Sequence, residues 1–419
     1  MPTSLPYELE EIFGARGAAP MRLLMPSSVV ALVGRNKQHM LAVAETGSHR
    51  ISVLSTSGHF HRTIEAPLNA VAHSSRPLRY PMGLAMADED SIVVADTHNH
   101  RLIRLSIVDG RPLANATSGR LHFGAALTPF RYPKGLAAYS KHEWPPHGPL
   151  SIAYVADSGN HRVCALALGP TAAGASIPLP GPISSASAAT MVPLLCFGQA
   201  GTGDADMDRP SAVAVAPMRD GLRLFVADTF HDRVQEVKRA DSNLAQLPAF
   251  EPATCKEVGY AYSVLPTIHD SPARLRLSRR RWYAHQWRWN AGVTTYSHVR
   301  NLGGGTSGVF GTSSAGHFLR PVGIAVMPSL RGDWETSRLY VTESGGRRAQ
   351  VLTAAGRPLQ VITPPSGGGS AGAGGAGAGR LGGVCVALRD KVDSSAEAHR
   401  LVIVGRERSR LFIYRRKRA

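Results

Sequence analysis

Short apolar runs recur along the chain, each bounded by polar, turn-forming residues. Residues 91–95 (SIVVA) and 101–105 (RLIRL) are one example, with β-branched or large aliphatic side chains on both sides of a short polar connection. Runs of four to eight such residues flanked by turns are typical of β-strands in hairpins. The pattern therefore predicts a turn-dense, all-β fold.

A Pro-x-Gly-aliphatic-Ala pattern marks the start of one recurrent strand. Clear copies begin at Pro81, Pro133 and Pro321, and weaker copies begin at Pro26, Pro210 and Leu381. Proline lacks an amide hydrogen and suits the first position of a strand, and glycine lets another backbone approach closely. The pattern predicts innermost strands whose backbones crowd around a common axis.

A second pattern follows each copy of the first: a strand ends in an acidic residue and Ser or Thr, and after three more residues an arginine opens the next strand. The pairs are Glu45 and Arg50, Asp96 and Arg101, Asp157 and Arg162, Asp228 and Arg233, and Glu343 and Arg348. A sixth copy, residues 404–410, lacks the acid. We expect each carboxylate to accept backbone N–H groups in the turn and to pair with its arginine.

Histidines recur inside this second pattern. His49, His100 and His161 occupy the same offset from the acid in three successive copies. Equivalent positions on neighbouring blades are too far apart to share one metal ion, so we predict a role in the turn. The recurrent acids are likewise predicted to be structural.

The two alternating patterns resemble the NHL repeat, whose name is nearly spelled by residues 99–102 (NHRL) and 160–163 (NHRV). The resemblance covers most of residues 26–414, apart from insertions. It implies a six-bladed β-propeller of four-stranded antiparallel blades. A Phe-Gly element precedes several Pro-x-Gly units and is predicted to form the outer strand of a blade; it occurs at Phe123, Phe197 and Phe310.

The same Phe-Gly element occurs at Phe13, before the first blade, whereas residues 411–414 form a third strand with no fourth strand after it. We therefore expect residues 7–15 to supply the fourth strand of the last blade. Closure of this kind leaves no exposed strand edge at the junction and ties the termini together.

Insertions lengthen most of the repeats. Successive acid positions lie 51, 61, 71, 115 and 62 residues apart, against about 40–45 residues for a minimal blade. Most of the excess falls in first-to-second and third-to-fourth strand loops, which share one face. The longest insertion is residues 239–308 in blade 4. A Gly/Ala/Ser-rich tract, residues 364–380, is predicted to be a flexible linker on the opposite face.

The largest insertion interleaves arginines with aromatic residues and has no acid between Arg274 and Arg300. Guanidinium groups bind phosphate and rings stack on unpaired bases, whereas Trp, Tyr and Arg also dominate protein-binding hot spots. A third interpretation is that the aromatics anchor a long loop on the propeller. The candidate binding residues are Arg274, Arg276, Arg279, Arg280, Arg281, Trp282, Tyr283, Trp287, Arg288 and Trp289.

The formal net charge of +17 favours a polyanionic partner, although an arginine-rich composition alone would also produce it. Residues 415–419 form a basic tail, either solvated or in contact with a polyanion. Four scattered cysteines predict neither a disulfide framework nor a zinc site, and they favour a reducing, intracellular compartment, cytoplasmic or nuclear. The sequence lacks an apolar stretch long enough for a membrane span.

No catalytic constellation is evident in the sequence. The innermost strands carry no regular His or carboxylate, and no nucleophile elbow, phosphate loop or zinc-helix motif occurs. We therefore expect no enzyme activity, no metal and no cofactor, and a monomeric scaffold that binds protein partners through the face with elongated loops. The resemblance leaves three alternatives: RNA binding through a basic surface, substrate recruitment to a ubiquitin ligase without a RING, and a metal-dependent lyase- or lactonase-like enzyme.

Overall fold

A computed structural model describes residues 7–17, 19, 22–33, 39–65, 77–120, 127–140, 151–168, 191–218, 221–240, 295–303, 315–327, 335–365, 379–388 and 399–416. These residues form six four-stranded antiparallel sheets and one short hairpin. The first strand of each sheet contacts the first strand of the next around a closed ring. The fold class predicted from the repeats, an all-β propeller with six four-stranded blades, is confirmed. Within the described ranges, no helix is long and apolar enough to cross a membrane.

The strands follow one another blade by blade. In blades 1 to 3 they are β2 (Pro26–Val33), β3 (His39–Glu45), β4 (Arg50–Ser55), β5 (Phe60–Ile64); β6 (Pro81–Asp88), β7 (Ser91–Asp96), β8 (Arg101–Ser106), β9 (Pro112–Ala116); and β12 (Pro133–Ser140), β13 (Ser151–Asp157), β14 (Arg162–Leu168), β15 (Met191–Phe197). A hairpin of β10 (Ser118–Arg120) and β11 (Leu127–Pro129) lies between blades 2 and 3.

Blades 4 to 6 comprise β16 (Ala212–Met218), β17 (Gly221–Asp228), β18 (Arg233–Ala240), β19 (Thr295–Gly303); β20 (Pro321–Met327), β21 (Arg338–Glu343), β22 (Arg348–Thr353), β23 (Pro358–Ile362); and β24 (Leu381–Leu388), β25 (His399–Gly405), β26 (Arg410–Arg416) with β1 (Tyr7–Phe13). Single 3-10 turns at Thr97–Asn99, Ser158–Asn160 and Thr229–His231 connect the second and third strands of blades 2, 3 and 4.

The core consists of apolar layers between adjacent blades. Because successive side chains of a strand point to opposite faces, each blade contributes apolar side chains to the layers on both of its sides. Val93 packs with Val155 between blades 2 and 3, whereas the next residue, Val94, packs with Ala42 between blades 1 and 2. The same arrangement closes the ring, where Val43 and Val402 belong to one layer between blades 1 and 6. The alternation of side chains along each strand thus packs every sheet against the sheets on both sides of it.

The glycines of the Pro-x-Gly pattern lie where neighbouring first strands approach most closely. A Cβ added to Gly83 would overlap the backbone carbonyl of Lys134, and one added to Gly135 would collide with the backbone of Ser211 and Ala212. A side chain at either position would force the inner strands apart.

The N-terminal strand completes blade 6. Strand β1 pairs antiparallel with β26, from Tyr7 opposite Arg416 to Phe13 opposite Leu411. The Tyr7 backbone N–H donates to the Gln360 side chain at 2.7 Å, and that side chain donates back to the Tyr7 carbonyl at 3.0 Å. Closure by the N-terminal strand, as predicted, is therefore reinforced by contacts with blade 5.

The outer strands differ in part from the prediction. Phe197 ends β15 and Phe13 ends β1, as the Phe-Gly element predicts. In blades 2 and 4, however, the fourth strands are β9 and β19, which precede Phe123 and Phe310 along the chain. An outer strand pairs on one edge only, so its position depends less on any short motif. Phe123 and Phe310 themselves lie outside the described residues.

The limits of the predicted segments also change. The range 239–308 contains the outer strand β19, and residues 241–294 lie outside the described residues. Of the predicted linker, residues 366–378 lie outside them as well. Arg415 and Arg416 of the predicted basic tail belong to β26, and Arg415 forms an ion pair with Glu8 at 2.8 Å.

A disulfide joins Cys164 on β14 to Cys196 on β15. The two residues lie directly opposite each other in the strand register, although 32 positions separate them in the sequence. The sequence does not predict this pair, because the two cysteines are distant in the chain and become neighbours only through the pairing of β14 with β15. Cys385 is buried and has a free thiol. One disulfide is less than the framework typical of small secreted domains, but it departs from the fully reduced set expected from the sequence.

Candidate functional site

One end of the propeller is built from the turns between second and third strands and from the connections that enter each blade. We call this end the turn face. It carries every acid–arginine pair of the repeat, because each pair lies where β3, β7, β13, β17 or β21 ends. The opposite end carries the first-to-second and third-to-fourth strand loops.

Each repeat acid is fully buried and ties its turn to the segment that enters the same blade. Asp157 accepts hydrogen bonds from Arg162 Nε at 2.7 Å and from Asn160 Nδ2 at 2.8 Å. Its other oxygen accepts from the backbone N–H of Arg131 at 2.7 Å. Burial raises the pKa of Asp157, and Arg162 together with these hydrogen bonds opposes that rise.

The same geometry recurs in four other blades. The backbone N–H donor is always the residue two positions before the proline that begins the Pro-x-Gly pattern or its weaker copy. Those donors are Leu24 to Glu45, Arg79 to Asp96, Asp208 to Asp228, and Leu319 to Glu343. The expectation that the acid accepts N–H groups within its own turn is thus corrected. The accepting carboxylate reaches back to the blade entrance, because that segment runs alongside the turn.

The residue at the end of each turn has a left-handed backbone and links one blade to the next. His49, His100 and His161 have φ values of 56°, 53° and 54°. Their Nδ1 atoms accept hydrogen bonds from the backbone N–H groups of Tyr80, Tyr132 and Arg209 at 3.1–3.3 Å. In the next blade Asp232 plays the same part, accepting from Arg320 at 2.6 Å. The predicted turn histidines therefore lie in the turn and also connect blades.

Aromatic side chains form an exposed arc on the turn face. The Tyr80 ring lies between His49 and His98, at centroid distances of 4.6 and 4.3 Å. Tyr132 contacts His100 at 4.5 Å. Burial lowers the pKa of His98, and the nearby positive Arg79 lowers it further, which favours the neutral ring. Tyr80 and Tyr132 keep 36% and 41% of their surface exposed.

The arc continues into blades 4 and 5 through Phe230, which is 46% exposed. The guanidinium carbons of Arg209 and Arg320 lie 5.2 and 5.6 Å from its ring centroid, within the range of cation–π contacts. A single aromatic ring thus holds two arginines from adjacent blades in place.

Exposed arginines lie on the same face as this arc. They occur in the entry segments and turns of five blades: Arg79, Arg131, Arg209, Arg320, Arg347, Arg380 and Arg408. The exposed acids on the same face include Asp204 and Glu407, and Glu407 is paired with Arg380 at 3.4 Å. The described part of the turn face is therefore basic and aromatic.

A cavity of about 630 Å³ follows the propeller axis. Its walls are the first strands, with apolar side chains such as Val29, Leu84 and Ile324, and Lys134 and Arg406 lie at the turn-face end. Among the described residues, no group of three or more His, Cys, Asp or Glu side chains is placed to hold a metal ion.

The structure does not place the candidates predicted from the basic insertion. Arg274, Arg276, Arg279, Arg280, Arg281, Trp282, Tyr283, Trp287, Arg288 and Trp289 all lie outside the described residues. The exposed turn-face residues were not singled out from the sequence. One available signal was the position just before each Pro pattern, which holds Met25, Tyr80, Tyr132, Arg209 and Arg320, all with positive φ.

The repeated blades and their buried acid–arginine turns define the chain as a six-bladed β-propeller. The NHL repeat model matches residues 78–105, which span β6, β7, the turn and nearly all of β8. The chain is thus a six-bladed β-propeller that contains an NHL repeat in its second blade. No curated protein sequence matches it significantly.

Solved structures with a similar outline share little sequence with this chain. The PQQ-bound aldose sugar dehydrogenase of Streptomyces coelicolor is 12% identical, with 99% of each chain covered and a TM-score of 0.43. Virginiamycin B lyase of Staphylococcus aureus, solved with quinupristin, is 8% identical, with coverage of 98% and 99% and a TM-score of 0.38. Hydrazine synthase of Kuenenia stuttgartiensis is 9% identical, with coverage of 94% and 96% and a TM-score of 0.40. Likenesses this weak carry no information on activity.

Proposed function

We propose that this chain is a non-catalytic binding propeller that docks an acidic segment of a partner protein on its turn face. The observation that carries the proposal is the arc of exposed Tyr80, Tyr132 and Phe230 with exposed arginines around it. Tyr and Arg are enriched at the energetic centres of protein interfaces, and complementary charge speeds association.

Buried hydrogen bonds also hold the turn face in one arrangement, which favours binding. Buried carboxylates such as Asp157 hold the turns, and residues such as His100 and Asp232 tie adjacent blades together. A surface that is already ordered loses little conformational freedom when a partner docks. This support is independent of the charge.

The loops on the opposite face, expected from their length to carry the binding site, lie largely outside the described residues. Their role remains a prediction. The proposal rests on the turn face alone.

Single-stranded RNA is the second candidate, favoured by the exposed rings of Tyr80, Tyr132 and Phe230 beside arginines. Stacking of a base on such a ring contributes about 1–3 kcal/mol, and arginine contacts phosphate. The two candidates share a surface and differ in how strongly binding depends on salt.

The test compares two labelled probes, a glutamate-rich peptide and a single-stranded RNA, by fluorescence anisotropy over a series of salt concentrations with the full chain. The turn-face variant combines Arg79→Ala, Arg131→Ala and Arg320→Ala. The matched control combines Arg111→Ala, Arg357→Ala and Arg415→Ala, which removes equal charge from exposed positions elsewhere. We expect peptide binding to weaken at least tenfold in the turn-face variant and to persist in the control.

An equal loss of peptide binding in both variants would mean that only net charge matters, and would refute the turn-face site. Binding of the RNA without binding of the peptide would refute the protein partner and support RNA as the ligand of the turn face. In that case the salt slope should fall by about 0.7 for each phosphate contact removed.

A further inference from the structure

The axial cavity ends at the turn face in a cluster of positive charge. Lys134, Arg380 and Arg406 line this end together with hydroxyl groups such as that of Thr229. No Asp or Glu is among the described residues that line the cavity. Arg380 is exposed and pairs with Glu407 at 3.4 Å, whereas Lys134 and Arg406 are partly buried. Burying a cation without a hydrogen-bonded anionic partner is unfavourable.

Lys134 and Arg406 enter the cavity from opposite sides of the ring. Lys134 is the variable residue of the Pro133-x-Gly135 pattern in blade 3, and Arg406 follows β25 in blade 6. Blades 3 and 6 lie across the axis from each other in a six-membered ring. The variable residue of the other five copies is uncharged: Ser27, Met82, Ser211, Val322 and Gly382.

Arg406 occupies a position at which the other five blades have a small hydroxyl residue. Those residues are Thr46, Thr97, Ser158, Thr229 and Ser344. Thr97 and Thr229 use the hydroxyl to bond a carbonyl of the next blade, at 2.7 and 2.8 Å. Arg406 replaces that small link with a long cation. Its Nε is buried and has no hydrogen-bond partner within the described part of the chain.

The charge of Arg406 acts on Lys134. Burial, followed by the positive charges of Arg406 and Arg209, lowers the pKa of Lys134 to about 8. Burial and the charge of Arg380 lower the pKa of Arg406, and the adjacent carboxylate of Glu407 partly opposes this fall. The acids near the two cations already have basic partners: Asp96 pairs with Arg101, Asp157 with Arg162, and Glu407 with Arg380.

We infer that the cavity binds a small amphipathic anion whose carboxylate or phosphate head lies between Lys134 and Arg406. An anion there would balance the two positive charges and give the Arg406 guanidinium group a charged acceptor. The apolar body would lie along the cavity against the first strands, at Val29, Leu84 and Ile324. A volume of about 630 Å³ falls within the range of about 300–1,000 Å³ typical of small-molecule sites.

Calorimetric titration of the full chain tests the site with four probes. Octanoate and octyl phosphate carry both the anionic head and an apolar body, whereas acetate and inorganic phosphate carry the head alone. We expect both octyl compounds to bind at least tenfold more tightly than their head-only counterparts. The tighter of the two octyl probes identifies the headgroup.

Two variants test the residues. Arg406→Thr restores the residue type of the other blades, and Lys134→Met copies Met82, so both should fold with an unchanged or higher Tm. Each should weaken octanoate binding at least tenfold. Unaltered octanoate affinity in both folded variants, or equal affinity for octanoate and acetate, would overturn the inference.

The pH dependence gives a second readout. Protonated Lys134 favours the anion, so octanoate affinity should fall as the pH rises through about 8, the pKa of Lys134. Arg406→Thr removes a charge that lowers this pKa, so the decline should move to higher pH; Lys134→Met should abolish it. A decline that stays at the same pH in Arg406→Thr would contradict the coupling.

The site is separate from the partner surface. The turn-face variant of Arg79, Arg131 and Arg320 should retain octanoate binding, and Arg406→Thr should retain peptide binding. Failure of the peptide arm alone would leave the anion site standing, and failure of the octanoate arm alone would leave the partner surface standing.

Discussion

At the scale of single residues, the repeat acid joins three pieces of one blade. Asp157 binds the arginine that opens the third strand, a side chain within the turn, and the backbone that enters the first strand. Both Asp157 and Arg162 are buried, so each depends on the other for the balance of its charge. Removing one member of a buried ion pair leaves an uncompensated charge.

The change Asp157→Ala should therefore lower the free energy of unfolding by about 3–5 kcal/mol. The matched control is Asp109→Ala, which breaks the exposed pair with Arg111 at 3.3 Å and should cost less than about 1 kcal/mol. Urea unfolding followed by circular dichroism measures both. Equal small effects would show that the buried pair does not support the turn.

The acid–arginine partnership was accessible from sequence because its two members are close in the chain and recur in five copies. The backbone donors could not be predicted from the sequence, because a donor such as Arg79 contributes its main-chain N–H and not its side chain. The link between His100 and Tyr132 crosses from one blade to the next, which local spacing does not reveal.

At the scale of elements, the ring is closed by a strand from the opposite end of the chain. Strand β1 contributes its ladder with β26 and polar contacts beyond it, including Tyr7 to Tyr340 at 2.7 Å and Glu10 to Arg400 at 2.8 Å. The sequence predicted this closure because a Phe-Gly element stood before the first blade with no inner strands to accompany it.

Deletion of residues 1–13 should sharply lower the Tm, because it exposes the edge of β26 and removes the Tyr7 contacts with blade 5. The control is Glu8→Ala, which loses only a partly exposed ion pair with Arg415 and should leave the Tm nearly unchanged. Calorimetry measures both transitions. An unchanged Tm after the deletion would contradict closure by β1.

Inner and outer elements differed in how well the sequence predicted them. The first strands were predicted by their Pro-x-Gly pattern because the axis demands glycine, as at Gly83. The outer strands β9 and β19 were misplaced because a strand with one paired edge tolerates varied sequence and irregular register. The Cys164–Cys196 disulfide was missed for a related reason, since it depends on the register of an outer strand.

At the scale of the whole molecule, the two ends of the propeller differ in what they present. The turn face combines hydrogen-bonded turns with exposed Tyr80, Tyr132 and Phe230 and with arginines from five blades. Each of these three aromatic side chains belongs to a different blade, and they form one arc only when the blades are arranged in the ring. The arginine-rich insertion is visible as one contiguous segment of sequence, whereas the turn face is not, because its residues come from separate blades.

Hydroxyl-radical footprinting of the full chain with the glutamate-rich peptide tests the turn-face proposal most directly. Three exposed apolar residues on outer strands, Leu9, Val299 and Val361, have 39–43% exposure and provide an internal control. We predict that the peptide slows oxidation of Tyr80, Tyr132 and Phe230 severalfold and leaves the control residues unchanged. Protection of the control residues, with the three turn-face aromatics still fully reactive, would contradict the account.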